Sequence, residues 1–377
     1  MVTSPQTIVI SGYYGFKNSG DEAVLQSILT ALEEKGRQAG VQLNPVVLSI
    51  DPEWTSSTYG VQAVHRMKLG EVRQALKNSS GLISGGGSLL QDATSPKTIP
   101  YYIGVIKLAQ WLHKPVFIYS QGIGPVNRKL FNPLIKNTFK KCEFISVRDV
   151  QSSELLQSMG LPGGRIQVVP DPVMGLIPEP GDAGAVPSST EPQLPVIGIS
   201  VRYWDAERRE LRGIAEGLRA LCKKQAVHLR FLPFYYPDDE KASQEIIEQL
   251  GDVEAGGSKV SICREAVDPR QMLAEVGRCD LVIGMRLHSL IYAANQVVPL
   301  IGISYDPKID HFLKRLDIAP VGTSSAMEPG KLEAEISRLL AGASTWKEAN
   351  KPRIDKLKQE AQAPAQHIID FLKRSGD

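Results

Sequence analysis

Short apolar strands alternate with amphipathic helices along almost the whole chain, and nearly every strand closes on glycine or a small polar residue. That alternation leaves few folds available, because consecutive parallel strands need helical crossovers that cover both faces of one sheet. The first unit reads as strand Thr7 to Tyr14, loop Gly15 to Gly20, then a helix from Asp21 to about Lys35 with Ala23, Val24, Ile28 and Leu32 at helical spacing. Strands follow at Val46 to Ile50, Gly81 to Ser88, Pro115 to Tyr119, Glu143 to Val147 and Ile166 to Val169. The helices between them are Leu69 to Lys77, Ile99 to Leu112, Lys129 to Lys141 and Ser152 to Met159. Between Gly175 and Leu194 periodicity stops and Pro, Gly and Ser accumulate, the mark of a linker. The alternation then restarts at Val196 and runs through strands at His228 to Phe234, Lys259 to Cys263, Leu281 to Ile283 and Val298 to Ile303.

A chain of 377 residues exceeds what one hydrophobic core usually organises. The expected architecture is therefore α/β, with two Rossmann-like parallel-sheet domains facing a cleft. The expected division is 1–174 for the N-terminal domain, 175–194 for the linker, 195–343 for the C-terminal domain and 344–377 for a helical segment. Its last long helix, Thr345 to about Lys373 with an interruption near Pro364, is expected to cross back onto the first domain.

Composition excludes some partners. A formal net charge of +2 and 6% aromatic residues give neither the basic footprint nor the stacking platforms of a nucleic-acid binder, so no nucleic acid is expected. Cys142, Cys222, Cys263 and Cys279 are scattered and read as reduced core residues of a cytoplasmic protein. The beginning of the chain lacks a basic segment followed by an apolar one, and no run reaches the roughly 18 apolar residues of a membrane span. Peripheral contact with a membrane stays open. Asp238-Asp239-Glu240 follow Pro237 at a helix start, where acids cap the helix and complement its dipole, so no metal is required there.

The chemistry is expected in Leu281 to Ala294, a strand that turns at Gly284 into an apolar helix. Arg286 and His288 sit at that junction, where open α/β sheets bind ligands and free backbone N–H groups attract anions. An ion pair for Arg286 and a helix cap for His288 are the plainer alternative. Arg148, Arg202 and Lys308 also lie just past strand ends, and arginine suits bidentate recognition of carboxylate or phosphate. Arg148 pairing with Asp149 is the alternative there. The first loop has neither the Gly-x-Gly-x-x-Gly of a dinucleotide site nor the Gly-Lys-Ser/Thr of a Walker loop, so NAD and ATP find no support.

Five stretches carry a family likeness: Gly12 to Ala23, Ser84 to Asp92, Gln121 to Pro125, Ser146 to Asp149 and Gly284 to Ser289. With them the chain resembles the polysaccharide pyruvyl transferases, above all those of bacterial cell-surface polysaccharides. The resemblance implies a GT-B-like fold and transfer of the pyruvyl group of phosphoenolpyruvate to a sugar as a ketal, with release of phosphate and no cofactor. It places Arg286, Leu287 and His288 in the family's phosphoenolpyruvate-binding motif, with His288 as general acid. Arg148, Arg202 and Lys308 are then further donor-binding candidates. Asp205 is a candidate base, with a helix cap before Glu207 as its alternative. The acceptor is expected near Asn18, Asp21, Gly86 and Gln91. Among the family the resemblance points to a lipid-linked disaccharide carrying N-acetylmannosamine, made at the inner face of the cell membrane for surface-layer anchoring. The basic residues Lys351, Arg353, Lys356, Lys358, Lys373 and Arg374 would then meet anionic lipid or, alternatively, form a solvated helix face. Two other readings stay open: a glycosyltransferase with a nucleotide-sugar donor, and a non-catalytic sugar- or anion-binding protein.

Overall fold

The computed structural model describes residues 5–93, 95–178, 194–266, 268–324 and 326–376. The chain divides into two compact units, one of Met1–Leu176 with Leu357–Asp377, the other of Ile177–Lys356. Most of the expected linker, 179–193, lies outside the described residues.

The first unit runs β1 (Gln6–Tyr14), α1 (Ser19–Ala39), β2 (Leu43–Ser49), α2 (Pro52–Tyr59), β3 (Gln62–His65), α3 (Leu69–Lys77), β4 (Gly81–Ser84), β5 (Gly87–Leu90), α4 (Thr98–Trp111), β6 (Val116–Ile123), α5 (Phe131–Phe139), β7 (Phe144–Val147), α6 (Val150–Ser158) and β8 (Gln167–Val168). Its sheet is parallel in the order β3-β2-β1-β4-β6-β7-β8, with β5 paired to β6. The strand expected over Gly81 to Ser88 is in fact two. Gly85 and Gly86 interrupt it because side chains fill the space a Cβ would need: Tyr14 Oη would lie 2.2 Å from one at Gly85 and Val24 Cγ1 2.8 Å from one at Gly86. The structure adds α2 and β3 to the expected elements; only Thr55 of α2 is buried and β3 lies at the sheet edge, so neither shows an apolar period.

The second unit comprises β9 (Val196–Ser200), α7 (Arg209–Lys224), β10 (His228–Phe231), α8 (Asp238–Leu250), β11 (Lys259–Ile262), α9 (Pro269–Gly277), β12 (Leu281–Gly284), α10 (Leu287–Asn295), β13 (Leu300–Ser304), α11 (Pro307–Arg315), β14 (Gly322–Thr323) and α12 (Pro329–Ala341). Its parallel order is β11-β10-β9-β12-β13-β14. Sequential order reverses between β9 and β12, so the loops after these neighbouring strands diverge to opposite faces and leave a crevice at the carboxyl edge, the usual ligand position in such sheets. Ile197, Ile199, Leu229, Phe231, Leu281, Ile283, Ile301 and Ile303 alternate into one apolar cluster with Leu211, Ile214 and Leu218 of α7.

The chain ends with α13 (Ala343–Glu360) and α14 (Ala363–Gly376). As expected, the last helix returns to the first unit: Ile368 and Ile369 are fully buried, Phe371 packs edge-on to Phe117 of β6, and Leu372 accepts a hydrogen bond from Gln6 Nε2 at 3.3 Å. Ile369→Ala should therefore lower the stability of this unit by about 2–5 kcal/mol, the usual cost of a large-to-alanine cavity in a core, read by urea unfolding of the full chain.

Candidate functional site

Gly284 ends β12 because nothing larger fits. A Cβ there would stand 2.4 Å from Ser289 Oγ and 2.7 Å from Leu290 Cδ2. Ser289 in turn ties the start of α10 by donating its N–H (3.1 Å) and its hydroxyl (2.7 Å) to the Arg286 carbonyl. Arg286 thus holds the position before the first helical turn, in extended conformation, with its side chain released toward the carboxyl edge of the sheet. His288 is half-buried in that first turn, while Leu287 is buried and contributes packing.

The guanidinium of Arg286 is gripped from one side by Asp239. Nε donates to Oδ2 at 3.0 Å and Nη2 to Oδ1 at 2.5 Å, a bidentate arrangement that fixes the plane of the arginine. Asp239 has no exposed surface, and its Oδ2 also accepts the N–H groups of Phe234 (3.2 Å) and Tyr235 (3.0 Å). Burial pushes this carboxyl up, against the opposing pull of Arg286 and the field of Arg202. The expectation that the acids after Pro237 cap α8 is corrected for Asp239: its carboxylate turns back to the preceding loop and across to Arg286, and Pro237 at the cap position makes no side-chain cap bond. Arg286 does form an ion pair, yet Nη1 and one Nη2 hydrogen are left outside it, and 18% of the side chain stays exposed.

Two more cations stand at neighbouring strand ends of this unit. Arg202 follows β9; its Nη1 donates to Tyr305 Oη at 3.1 Å, and it lies over the rings of Trp204 (5.6 Å) and Tyr305 (5.1 Å). Lys308, in the first turn of α11, is 3.0 Å from Asp306. Since β9, β12 and β13 are adjacent, three cations sit along one carboxyl edge. Asp205 does not suit a base. Arg209 Nε donates to it at 2.6 Å and the Glu207 N–H at 3.1 Å, and these bonds hold its carboxyl below the usual range. It caps the turn before α7. Glu210, fully buried, pins the same loop by accepting the N–H groups of Trp204 and Asp205.

The other predicted residues lie in the first unit. Arg148 follows β7 and is bound to Ser88 Oγ at 2.8 Å, with Asp149 and Asp171 at 3.6 and 3.7 Å. Two carboxylates thus stand beside its guanidinium within the first unit, the Asp149 pairing expected as its alternative among them. Asn18 caps α1 by accepting the Gly20 N–H at 3.1 Å, and Gly86 is enclosed by Val24 and Pro172. Gln91 Oε1 accepts the Ala93 N–H at 2.9 Å. Asp21 lies in the first turn of α1. Its neighbour Glu22, not singled out from sequence, is buried and holds the glycine loop through the N–H groups of Gly15 (2.8 Å) and Lys17 (3.2 Å), with Tyr59 donating to its other oxygen at 2.9 Å. Burial outweighs these bonds and raises its carboxyl from 4.5 to about 7. Glu22 and Glu210 occupy the same place in the two units, each tethering the loop between a first strand and its helix.

All four cysteines are buried free thiols. Cys263, Glu265 and Glu275 each bring one ligand atom within 4.8 Å of the others, but Arg230 bridges both carboxylates, at 2.8 Å to Glu275, so this cluster is an ion-pair network. Among the described residues no helix is long and apolar enough to cross a membrane. Of the C-terminal basic residues, Lys351 pairs with Asp355 and Arg353 with Asp317.

The model of the polysaccharide pyruvyl transferase family matches residues 18–307, which include Arg148, Arg202, Asp239, Arg286 and His288. The chain belongs to this family. It is also similar to the amylovoran biosynthesis protein AmsJ of Erwinia amylovora, 21% identical over 332 residues that cover 80% of this chain and 74% of that protein. Among solved structures, a glycosyltransferase from Rickettsia africae has a TM-score of 0.65 at 11% identity, covering 99% of both chains. Anabaena HepE in complex with UDP-glucose has a TM-score of 0.60 at 11% identity, covering 98% of this chain and 100% of that one. A putative UDP-N-acetylglucosamine 2-epimerase from Listeria monocytogenes scores 0.63 at 12% identity, covering 98% and 96%. These likenesses give the fold, a two-domain GT-B-like α/β architecture. Family and fold together describe a sugar-modifying enzyme.

Two outcomes follow from this geometry. Asp239→Asn should weaken the binding of inorganic phosphate to the full chain by about 10- to 100-fold if the remaining edge of Arg286 takes anions, because the guanidinium loses its fixed plane; calorimetric titration reads the change. Glu22 has a folded value of about 7 against 4.5 for the free side chain, so its stabilising contribution is complete below pH 4.5 and is lost as pH rises through 7. The difference is on the order of 3 kcal/mol. Glu22→Gln should flatten the dependence of unfolding free energy on pH between 5 and 8 and be more stable than the parent above pH 7.

Proposed function

We propose that the protein transfers the pyruvyl group of phosphoenolpyruvate to two hydroxyls of a sugar, forming a cyclic ketal in cell-surface polysaccharide synthesis. The observation that carries this reading is Arg286, fixed by buried Asp239 at the switch point of the second sheet and two residues before His288, inside the span matched by the family. Phosphoenolpyruvate carries a carboxylate and a phosphate. The free edge of Arg286, with Arg202 and Lys308 along the same strand ends, offers cations for both.

The chemistry needs one proton delivered and two withdrawn. In this reading His288 protonates the methylene carbon, whose π electrons form the new C–H bond, and positive charge develops at the carbon bearing the phosphate. One sugar hydroxyl attacks that carbon and loses its proton. The carbon–oxygen bond to phosphate then breaks, phosphate leaving with the electron pair, and the second hydroxyl closes the ring with loss of its proton. Asp205, held by Arg209, and Arg148, neutralised in the first unit, are left out of the scheme. The acceptor is taken as a lipid-linked N-acetylmannosamine disaccharide at the inner membrane face, with Asp21 and the neighbouring glycine loops on the acceptor side.

A nucleotide-sugar donor is the second reading. It is favoured by the ring pair Trp204 and Tyr305, 4.5 Å apart beside Arg202, which offers an aromatic surface to a base, and by the UDP-glucose held in HepE. Incubation with phosphoenolpyruvate and candidate lipid-linked acceptors should release phosphate and yield an acceptor heavier by a pyruvate ketal in mass spectra, and His288→Ala should lower the rate at least 100-fold. Release of UDP from a UDP-sugar with none of phosphate from phosphoenolpyruvate would replace this reading by the second. A fully active His288→Ala variant would remove the histidine from its role.

A further inference from the structure

Arg66 follows β3 in the first unit and is 6% exposed, the most buried arginine of the described residues. Arg148, Arg230 and Arg286, also largely buried, each have carboxylate oxygens within 4.0 Å. Arg66 has none among the described residues. Its Nη1 donates to the Gly12 carbonyl at 2.9 Å and its Nη2 to Tyr102 Oη at 3.2 Å, both neutral acceptors, and the guanidinium lies over the rings of Tyr101 (4.4 Å), Tyr102 (5.4 Å) and Phe16 (5.5 Å). The backbone is fixed as well: the Arg66 N–H donates to the Ser49 carbonyl at 2.8 Å, and the Arg66 carbonyl accepts Tyr101 Oη–H at 3.1 Å. Five N–H donors in a rigid fork thus serve two neutral acceptors. A permanently charged group held out of water costs several kcal/mol unless an opposite charge is brought to it.

A second polar group converges there. Tyr14 is fully buried, and its hydroxyl has no hydrogen-bond partner among the described residues. Glycine at positions 12 and 85 makes room for it, since a Cβ at either would lie 2.6 or 2.2 Å from its Oη. Gly12 is also the residue whose carbonyl Arg66 binds. Burial and the charge of Asp21 raise the Tyr14 hydroxyl, with Tyr102 adding to the effect, so the phenol stays a donor at any working pH. Beside this group Tyr13 and Phe16 stack at 3.8 Å, with Tyr13 partly exposed.

We propose that Arg66, with the hydroxyls of Tyr14 and Tyr102, forms an anion subsite in the first unit that takes the phosphate of a phosphorylated sugar acceptor, whose ring packs on the aromatic faces of the adjoining loop. The assignment of a sugar rests on the proposed function; the anion rests on the guanidinium alone. Charge-assisted bonds from a guanidinium and phenols suit phosphate oxygens, and aromatic faces suit the C–H face of a pyranose.

The test is calorimetric titration of the full chain with N-acetylglucosamine 1-phosphate and with N-acetylglucosamine, in saturating phosphoenolpyruvate so that anion sites of the second unit are filled. Wild type should bind the phosphorylated sugar at least 10-fold more tightly. Arg66→Gln should bring the ratio close to one, Arg66→Lys should retain part of it, and Tyr14→Phe and Tyr102→Phe should each lower it about 2- to 5-fold. Inorganic phosphate should compete in wild type and not in Arg66→Gln. Equal binding of the two sugars by wild type overturns the proposal, as does an unchanged ratio in folded Arg66→Gln. Should that variant not fold, unchanged ratios in both phenylalanine variants overturn it. Release of phosphate from phosphoenolpyruvate is scored separately, so loss of the pyruvyl reading with the preference intact, or the reverse, is distinguishable.

Discussion

The second unit is organised around one buried charge pair. Asp239 has no contact with solvent, and such a carboxylate is tolerable only if its oxygens are fully engaged. Two backbone N–H groups and the two-pronged grip on Arg286 do this. Removing either partner would strand a charge at a cost of about 3–5 kcal/mol. The pair also ties the loop after β10 to the loop after β12, two strands that are not neighbours but flank β9. The proposed function asks the same guanidinium to use its remaining edge, Nη1 and one Nη2 hydrogen, for the anion.

The same economy recurs at the first strand of each unit. Glu22 and Glu210 are buried acids in the first turn of a helix that reach back to the backbone of the preceding loop. Each loop is thereby ordered by a side chain from its own helix, and in the first unit this holds a glycine-containing segment in one conformation. Gly15 shows how tight that conformation is, with φ +81 and a Cβ position only 2.2 Å from Ser49 Oγ. Arg202 belongs to the tethered loop of the second unit, and Phe16 of the tethered loop in the first faces Arg66.

Much of this was legible in the sequence, for identifiable reasons. The short apolar strands and 3.6-period helices of both units announce themselves because both sheet faces are covered, which makes the strands continuously apolar and the helices amphipathic. The place of Arg286 and His288 at a strand-to-helix junction is legible because they interrupt an apolar run at a glycine turn. Asp239 was not, since it sits 47 residues from its partner and local sequence reads it as one of three acids opening a helix. What joins them is strand order, which no local pattern encodes. Arg66 was hidden for a related reason: it follows a short edge strand with no apolar period, and its aromatic neighbours come from α4 and from the first loop. Of the two acids beside Arg148, Asp149 is legible as its neighbour in sequence and Asp171 is not.

A double-mutant cycle on phosphoenolpyruvate affinity tests the central claim most directly. Binding would be measured by calorimetry for wild type, Arg286→Gln, Asp239→Asn and the double variant. If Asp239 acts by setting the plane of Arg286, the double variant binds no more weakly than Arg286→Gln alone. Additive losses, or wild-type affinity in Arg286→Gln, would contradict the account.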